Sequence, residues 1–457
     1  MKFVGLDLNG VLDRSVTLEG AHEVSLKPEI VVHGGLVRRP EQARGERWIG
    51  GNEARSTLSP TVLRTETSYE FVRDLLDQAL TRHDEETDLD TDEAKGPAED
   101  PAILPPNDVN AGLEAALRAL AGHDASDRTT LIVPDTLTQE GQDRLLTLVR
   151  NALTGEKELL WRPVAALMGW AQTLKPDEIE SLDGRKVAHV HLDAAAIHVS
   201  VLTVRVDTVD QASLLVPQRS GRGTTLGAFS AVSDTFEKVV LSDLEGVAYD
   251  SVSVAALGAD ERPWRVLFGR KCEPALIPTE SGFLWLDGQP STADVNPDQL
   301  ESWTTALIGE LDGVHVDAVL IDGAGAQIQL GDHTLGEALR EQLVALDLPA
   351  HALTGRSAAL GAAVYGWRLE QGWPTYEDVL PHLRIVVKDG RDWVWKDLVP
   401  DGQVVAGGQQ YGPRTIEGFR VDKQATELKY AITRGDDPYV RQTITPLPFT
   451  TQKQHDV

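Results

Sequence analysis

Short apolar runs that end in an aspartate recur along this chain and predict strands that stop at loops. One opens at Phe3 and runs into Asp7-Leu8-Asn9-Gly10, a second spans Lys186 to Leu192 and ends at Asp193, and a third covers Ala318 to Ile321 and meets Asp322-Gly323-Ala324-Gly325. Runs of this length bounded by turn residues read as strands. Between them the apolar spacing becomes helical. Val109, Leu113, Ala116, Leu117 and Leu120 share one face behind Asp108, a suitable N-cap. The run Thr129 to Val133 is stopped by Pro134, after which Thr138 caps a helix with Leu145, Leu146, Val149 and Leu153 on one side. Strand followed by helix in this way predicts an α/β domain.

Between Lys186 and Val204 two strands lie back to back around Asp193-Ala194-Ala195-Ala196, as in a hairpin. A glycine-rich turn, 220–227, follows. Asn296-Pro297 opens a helix carrying Leu300, Trp303, Leu307 and Leu311, with proline at the first helical position. The helix expected over 357–371 is rich in small residues (Ala358, Ala359, Gly361, Ala362, Ala363, Gly366), which permit close backbone approach and place it deep in the domain; Gly372-Trp373-Pro374 ends it. From Leu383 onward, short alternating strands are separated by Asp389-Gly390, Asp401-Gly402, Gly407-Gly408 and Gly435-Asp436-Asp437. Turn signals at that spacing mark an all-β unit. The expected organisation is an α/β domain over 1–372, a linker over 373–383 and a small all-β domain over 384–457.

Composition narrows the function classes. At 457 residues and 41% hydrophobic content, two or more cores are expected. The formal charge of -28, from 71 acidic and 43 basic side chains, repels phosphate backbones and anionic lipids, so neither nucleic acid nor membrane is an expected partner. Residues 83–108 concentrate acid and proline with few apolar side chains, which predicts a solvated, disordered insertion. The single cysteine, Cys272, excludes an internal disulfide and is expected to be a buried, inert thiol. A cytoplasmic location is expected, because a charge interrupts the apolar N-terminus early and no apolar stretch reaches spanning length.

The order of these elements resembles the nucleotide-binding domain of the seventy-kilodalton heat-shock chaperones, within the actin-like ATPase superfamily. Thr129-Thr130-Leu131-Ile132-Val133-Pro134 is similar to that family's strand and Val-Pro stop. Leu160-Trp161-Arg162-Pro163-Val164-Ala165-Ala166-Leu167 is similar to its proline turn before an alanine-rich helix. Gly223-Thr224-Thr225-Leu226-Gly227 resembles the turn after its second phosphate loop, Leu360-Gly361-Ala362-Ala363 its closing helix, and Glu377-Asp378-Val379-Leu380 its interdomain linker. Lys396 to Pro400 and Thr426 to Ile432 resemble early strands of its β-type substrate-binding domain. The resemblance implies a duplicated actin-like, ribonuclease-H-like nucleotide-binding domain followed by a small all-β domain. It also implies ATP or ADP with magnesium as cofactor and a protein client as partner.

Several positions that would hold phosphate in that family are replaced. The resemblance assigns nucleotide contacts to Asp7, Asn9, Gly10, Asp193, Gly227, Gly323 and Gly325, with Asp7 and Asp193 on magnesium-bound water and Asp193 the residue on which any hydrolysis depends. The first turn lacks the family's paired threonines. The second reads Ala194-Ala195-Ala196-Ile197 where glycines are expected, and Cβ atoms obstruct a backbone anion cradle. His198 stands where a second carboxylate is expected, removing an oxygen ligand from a hard-cation site. Arg162 replaces a water-orienting glutamate. No lysine lies in 62–77, where Arg64 and Arg73 are the cations, and Pro263 breaks the basic helix, with Arg262, Arg265 and Arg270, expected to clasp adenine.

His189 and His191 alternate on one strand face with His198 on the next; without a carboxylate in the hairpin, ordinary surface or core residues are expected there, with metal as the alternative. Trp393 and Trp395 share one strand face, where packing in the β core is expected and a peptide groove for a partner is the alternative. The leading reading is a chaperone-like protein that has weak or no ATP hydrolysis and binds a protein partner through its β domain. An active, slow ATP-dependent chaperone and an actin-like assembly subunit are the alternatives.

Overall fold

A computed structural model describes residues 1–8, 12–21, 23–33, 35–38, 48–50, 68–71, 106–121, 126–193, 196–228, 265–266, 268–279, 282–286, 289, 297–389, 392–408, 420–421, 427–433, 441–446 and 455–456. Two sheets repeat one strand order. In the first, Ser25–Leu26, Leu12–Glu19, Lys2–Asp7, Arg128–Val133 and Glu156–Trp161 lie side by side. The first three are antiparallel neighbours and the last three run parallel. In the second the order is Ala212–Arg219, Ala196–Val209, Lys186–Leu192, Ala318–Asp322 and Ala350–Ala352, with the same pattern of antiparallel and parallel pairs. The chain is thus a mixed α/β protein, as its strand-and-helix order predicts, and its strand order is duplicated, as the family resemblance implies.

Burial explains the layering. Helices Pro106–Ala121 and Gln139–Ala152 close the outer face of the first sheet through Leu113, Leu117, Leu120, Leu145 and Val149, against Val4, Leu6 and Leu131. Thr138 caps the second of these by accepting from the Gly141 N–H, as expected. The first begins at Pro106, so Asp108 lies inside it and is not its N-cap. Proline is tolerated at that first position because its missing N–H would have had no helical partner. The last residues of the acidic segment, 106–108, are therefore helical, while 83–105 lie outside the described residues. Helices Pro297–Leu311 and Leu335–Ala345 cover the outer face of the second sheet. Cys272 is half-buried at the edge of that same core rather than fully buried.

Helices Arg162–Ala171 and Ser357–Gln371 fill the space between the two sheets, in a core shared by both. The small residues expected to draw the second helix inward do so. A Cβ on Gly361 would overlap the Ala165 carbonyl, and one on Gly169 would overlap that of Ser357, so the two backbones touch. Gly372 ends the helix at φ +67°, a conformation that favours glycine.

Strand Glu377–Val379, within the expected linker, pairs parallel with Ala212–Arg219 and antiparallel with Val404–Ala406. It extends the second sheet. A separate antiparallel sheet follows, in the order Asp392–Val399, His382–Asp389, Glu427–Thr433, Arg441–Pro446. Trp393 and Trp395 do not pack in its core: they are 70% and 43% exposed on the outermost strand. Among the described residues that strand has a neighbour on one side only.

Candidate functional site

The carboxyl ends of the central strands converge between the halves, where open α/β folds place their ligands. Asp7 closes the first strand, Asp193 follows the end of Lys186–Leu192, and Asp322 closes Ala318–Asp322. Three further residues join them. Arg162 opens the helix that follows Glu156–Trp161, and His189 and His191 lie two apart on one strand face.

Asp7 is fully engaged. Arg162 donates from Nη2 to Oδ1 at 2.6 Å and from Nη1 to Oδ2 at 3.2 Å, with both groups buried. Burial works against the guanidinium charge, but Asp7 first, then Asp322 and Asp193, outweigh it and push the Arg162 pKa above its ordinary value. A cation at a helix N-terminus opposes the helix dipole, so this side chain depends on its acidic partner. Arg14 stands opposite Asp7 in the ladder, pairs with Glu29 and crosses to the other half, where a Cβ on Gly355 would lie 2.5 Å from its Nη2.

Asp322 holds the second cluster together. Its Oδ1 lies 2.7 Å from His191 Nδ1 and 2.9 Å from His189 Nε2, and all three residues are buried. Burial disfavours the Asp322 carboxylate, yet the charges of His189 and His191 and the hydrogen bond with His191 prevail and hold it well below the usual carboxylate range. The histidines expected to be ordinary residues lacking a carboxylate do have one. The parallel ladder brings it from residue 322 into register with His191. His198 is set apart: it is half-buried, with Nδ1 3.0 Å from Thr225 Oγ1 and Nε2 3.9 Å from Asp193 Oδ2.

The other expected contacts divide. Asp193 is half-buried at the tip of a hairpin closed by its own N–H to the Ala196 carbonyl, as the short connection predicts. Gly227 lies in strand Thr224–Ala228, where the ladder with Ala196–Val209 shifts register. Gly325 is buried in a short 3-10 turn. Gly323 adopts φ +106°, and a Cβ there would strike the Leu192 carbonyl and lie 2.9 Å from His191 Nδ1, so its glycine serves contact with the neighbouring strand. Asn9, Gly10, Ala194, Ala195, Arg64, Arg73, Arg262 and Pro263 lie outside the described residues.

The residues present do not fit magnesium at Asp7. A hard cation needs carboxylate oxygens, and both oxygens of Asp7 are held by a buried guanidinium. Space tells the same story. The cavity lined by Asp7, Arg14, Phe268, Asp322, Gly323, Ala324, Gln327 and Gly355 measures about 10 Å³, room for a single water. A ligand-sized cavity of about 540 Å³ lies elsewhere, beside Tyr365, Trp373 and Tyr376.

Sequence reasoning picked out Asp7, Asp193 and the Arg162 replacement but passed over Asp322, Arg14 and the pairing of the two histidines with an acid. The signal for that pairing was an aspartate at the end of one strand and histidines at alternate positions of another. Duplicated strand order and the convergence of strand ends define a mixed α/β protein with two halves of like topology. No protein-family model matches the chain, and no curated protein matches it. Among solved structures it is similar to one described as the MamK double helical filament, with 12% identity, a TM-score of 0.44, and coverage of 81% of this chain and 98% of that one.

Proposed function

We propose that this chain is an actin-like-fold scaffold that works by holding protein partners, with its nucleotide cleft closed by its own side chains. The observation that carries the reading is the buried, two-pronged bond from Arg162 to Asp7. It sets a fixed monovalent cation where an actin-like ATPase would keep magnesium-bound water. Hydrolysis depends on several positioned groups acting together, so the loss of one carboxylate partner and its replacement by a cation removes most of the rate.

The surface suited to a partner is the outer strand Asp392–Val399. Among the described residues its backbone edge pairs with no further strand, and Trp393, Val394 and Trp395 offer exposed apolar area beside it. On the heat-shock-chaperone resemblance the partner is a client peptide. In the assembly reading it is a second copy of this chain, and the same open strand favours that reading equally.

Sedimentation velocity over a concentration series, with and without Mg-ATP, paired with phosphate release, tests the proposal. Nucleotide-independent behaviour and no phosphate release are expected. Particles that grow with protein concentration select the assembly reading, while a monomer throughout removes it and leaves the client reading. Phosphate release abolished by Asp193→Asn would overturn both in favour of an active ATPase.

A further inference from the structure

We propose that His189, His191 and Asp322 form a transition-metal site, and that zinc is the ion their donors suit. The proposal stands apart from the scaffold reading, since a chain of either function could hold such an ion. The two imidazoles project from one face of strand Lys186–Leu192 because residues two apart share a face, and the parallel ladder sets Asp322 beside His191. One ligating atom from each residue lies within 4.8 Å of the others, and all three residues are buried. Two imidazole nitrogens and one carboxylate are a donor set for zinc and related ions, whereas magnesium and calcium prefer oxygen throughout.

A second observation points to a ligand. Among the described residues His189 Nε2 is buried without a hydrogen-bond partner, although Asp322 Oδ1 lies 2.9 Å away. A buried ring nitrogen left so is destabilising, and a metal bond to its lone pair removes that cost. One carboxylate oxygen cannot align well with both rings, but an ion among the three donors can.

Distances agree. Donors around a tetrahedral zinc stand about 3.3 Å apart at bonds of about 2.0–2.2 Å, so the present 2.7 and 2.9 Å separations widen by about half an ångström on binding.

The test uses the full chain, stripped with a chelator and titrated with zinc by calorimetry, with cobalt(II) absorption as a direct reading of ligand geometry. One equivalent is expected to bind, releasing protons, raising the melting temperature and giving tetrahedral cobalt bands. His191→Gln and His189→Gln should each weaken binding by about 100-fold or more, while the exposed His315→Gln should bind as the parent does. If those variants fail to fold, the cobalt spectrum of the unaltered chain decides. The absence of one saturable equivalent, octahedral cobalt bands alone, or parental affinity in folded His191→Gln would overturn the proposal.

Discussion

The two halves of this molecule repeat one strand order yet neutralise their buried carboxylates differently. In the first, Asp7 meets Arg162, a side chain that stays charged at every accessible pH. In the second, Asp322 meets His189 and His191, the ring nitrogens of the proposed metal site. Topology brings an aspartate to the mouth of the cleft in both cases. The partner it finds decides what chemistry is left: the first half is closed by a guanidinium, and the second gathers three donors that suit a metal.

The comparison breaks most sharply at its fixed end. Arg162→Met should cost about 3–5 kcal/mol in urea denaturation, because it strands the buried Asp7 charge, whereas adding Asp7→Asn should recover most of that loss. A double variant no better than the single one would mean that Arg162 acts mainly through packing.

Next comes the layer that joins the halves. Gly361→Ala should cost about 1–3 kcal/mol or more, since its Cβ would overlap the Ala165 carbonyl and force apart two helices that serve both sheets. The same denaturation measurement reads it, and an unchanged midpoint would show that the helices can separate freely.

The second half should show itself in acid. The folded-state pKa of Asp322 is depressed, so its contribution is fully present above the unfolded carboxylate value of about 3.9 and drains away as pH falls from there toward the folded value. Asp322→Asn should therefore flatten the fall in stability below about pH 4, measured as urea midpoints across a pH series. Smallest of all, Trp393→Ser and Trp395→Ser should leave stability within about 0.5 kcal/mol of the parent, because both side chains already face solvent. A large loss of melting temperature in either would place them in a core after all.

Local rules made much of the fold legible. The Thr138 cap, the hairpin around Asp193 and the helix Ser357–Gln371 each follow from residues close together in sequence. Where local signals competed, they misled: Asp108 has cap chemistry, yet Pro106 two residues earlier already fits the first helical position. The tryptophans read as core because apolar bulk usually is. Whether a strand lies at the edge of a sheet depends on pairing that sequence does not carry. The site divides along the same line. Arg162 was legible because it directly precedes a recognisable proline turn. The bond between His191 and Asp322 joins residues 131 apart through a parallel ladder, and only the folded register reveals it.

Calorimetric titration of the full chain with Mg-ATP tests most directly whether Arg162 has taken the place of the cation at Asp7. No saturable heat that depends on magnesium is the predicted result. Tight, magnesium-dependent binding that is lost in Asp7→Asn would contradict the account, since it would require Asp7 to exchange its guanidinium for a hydrated metal.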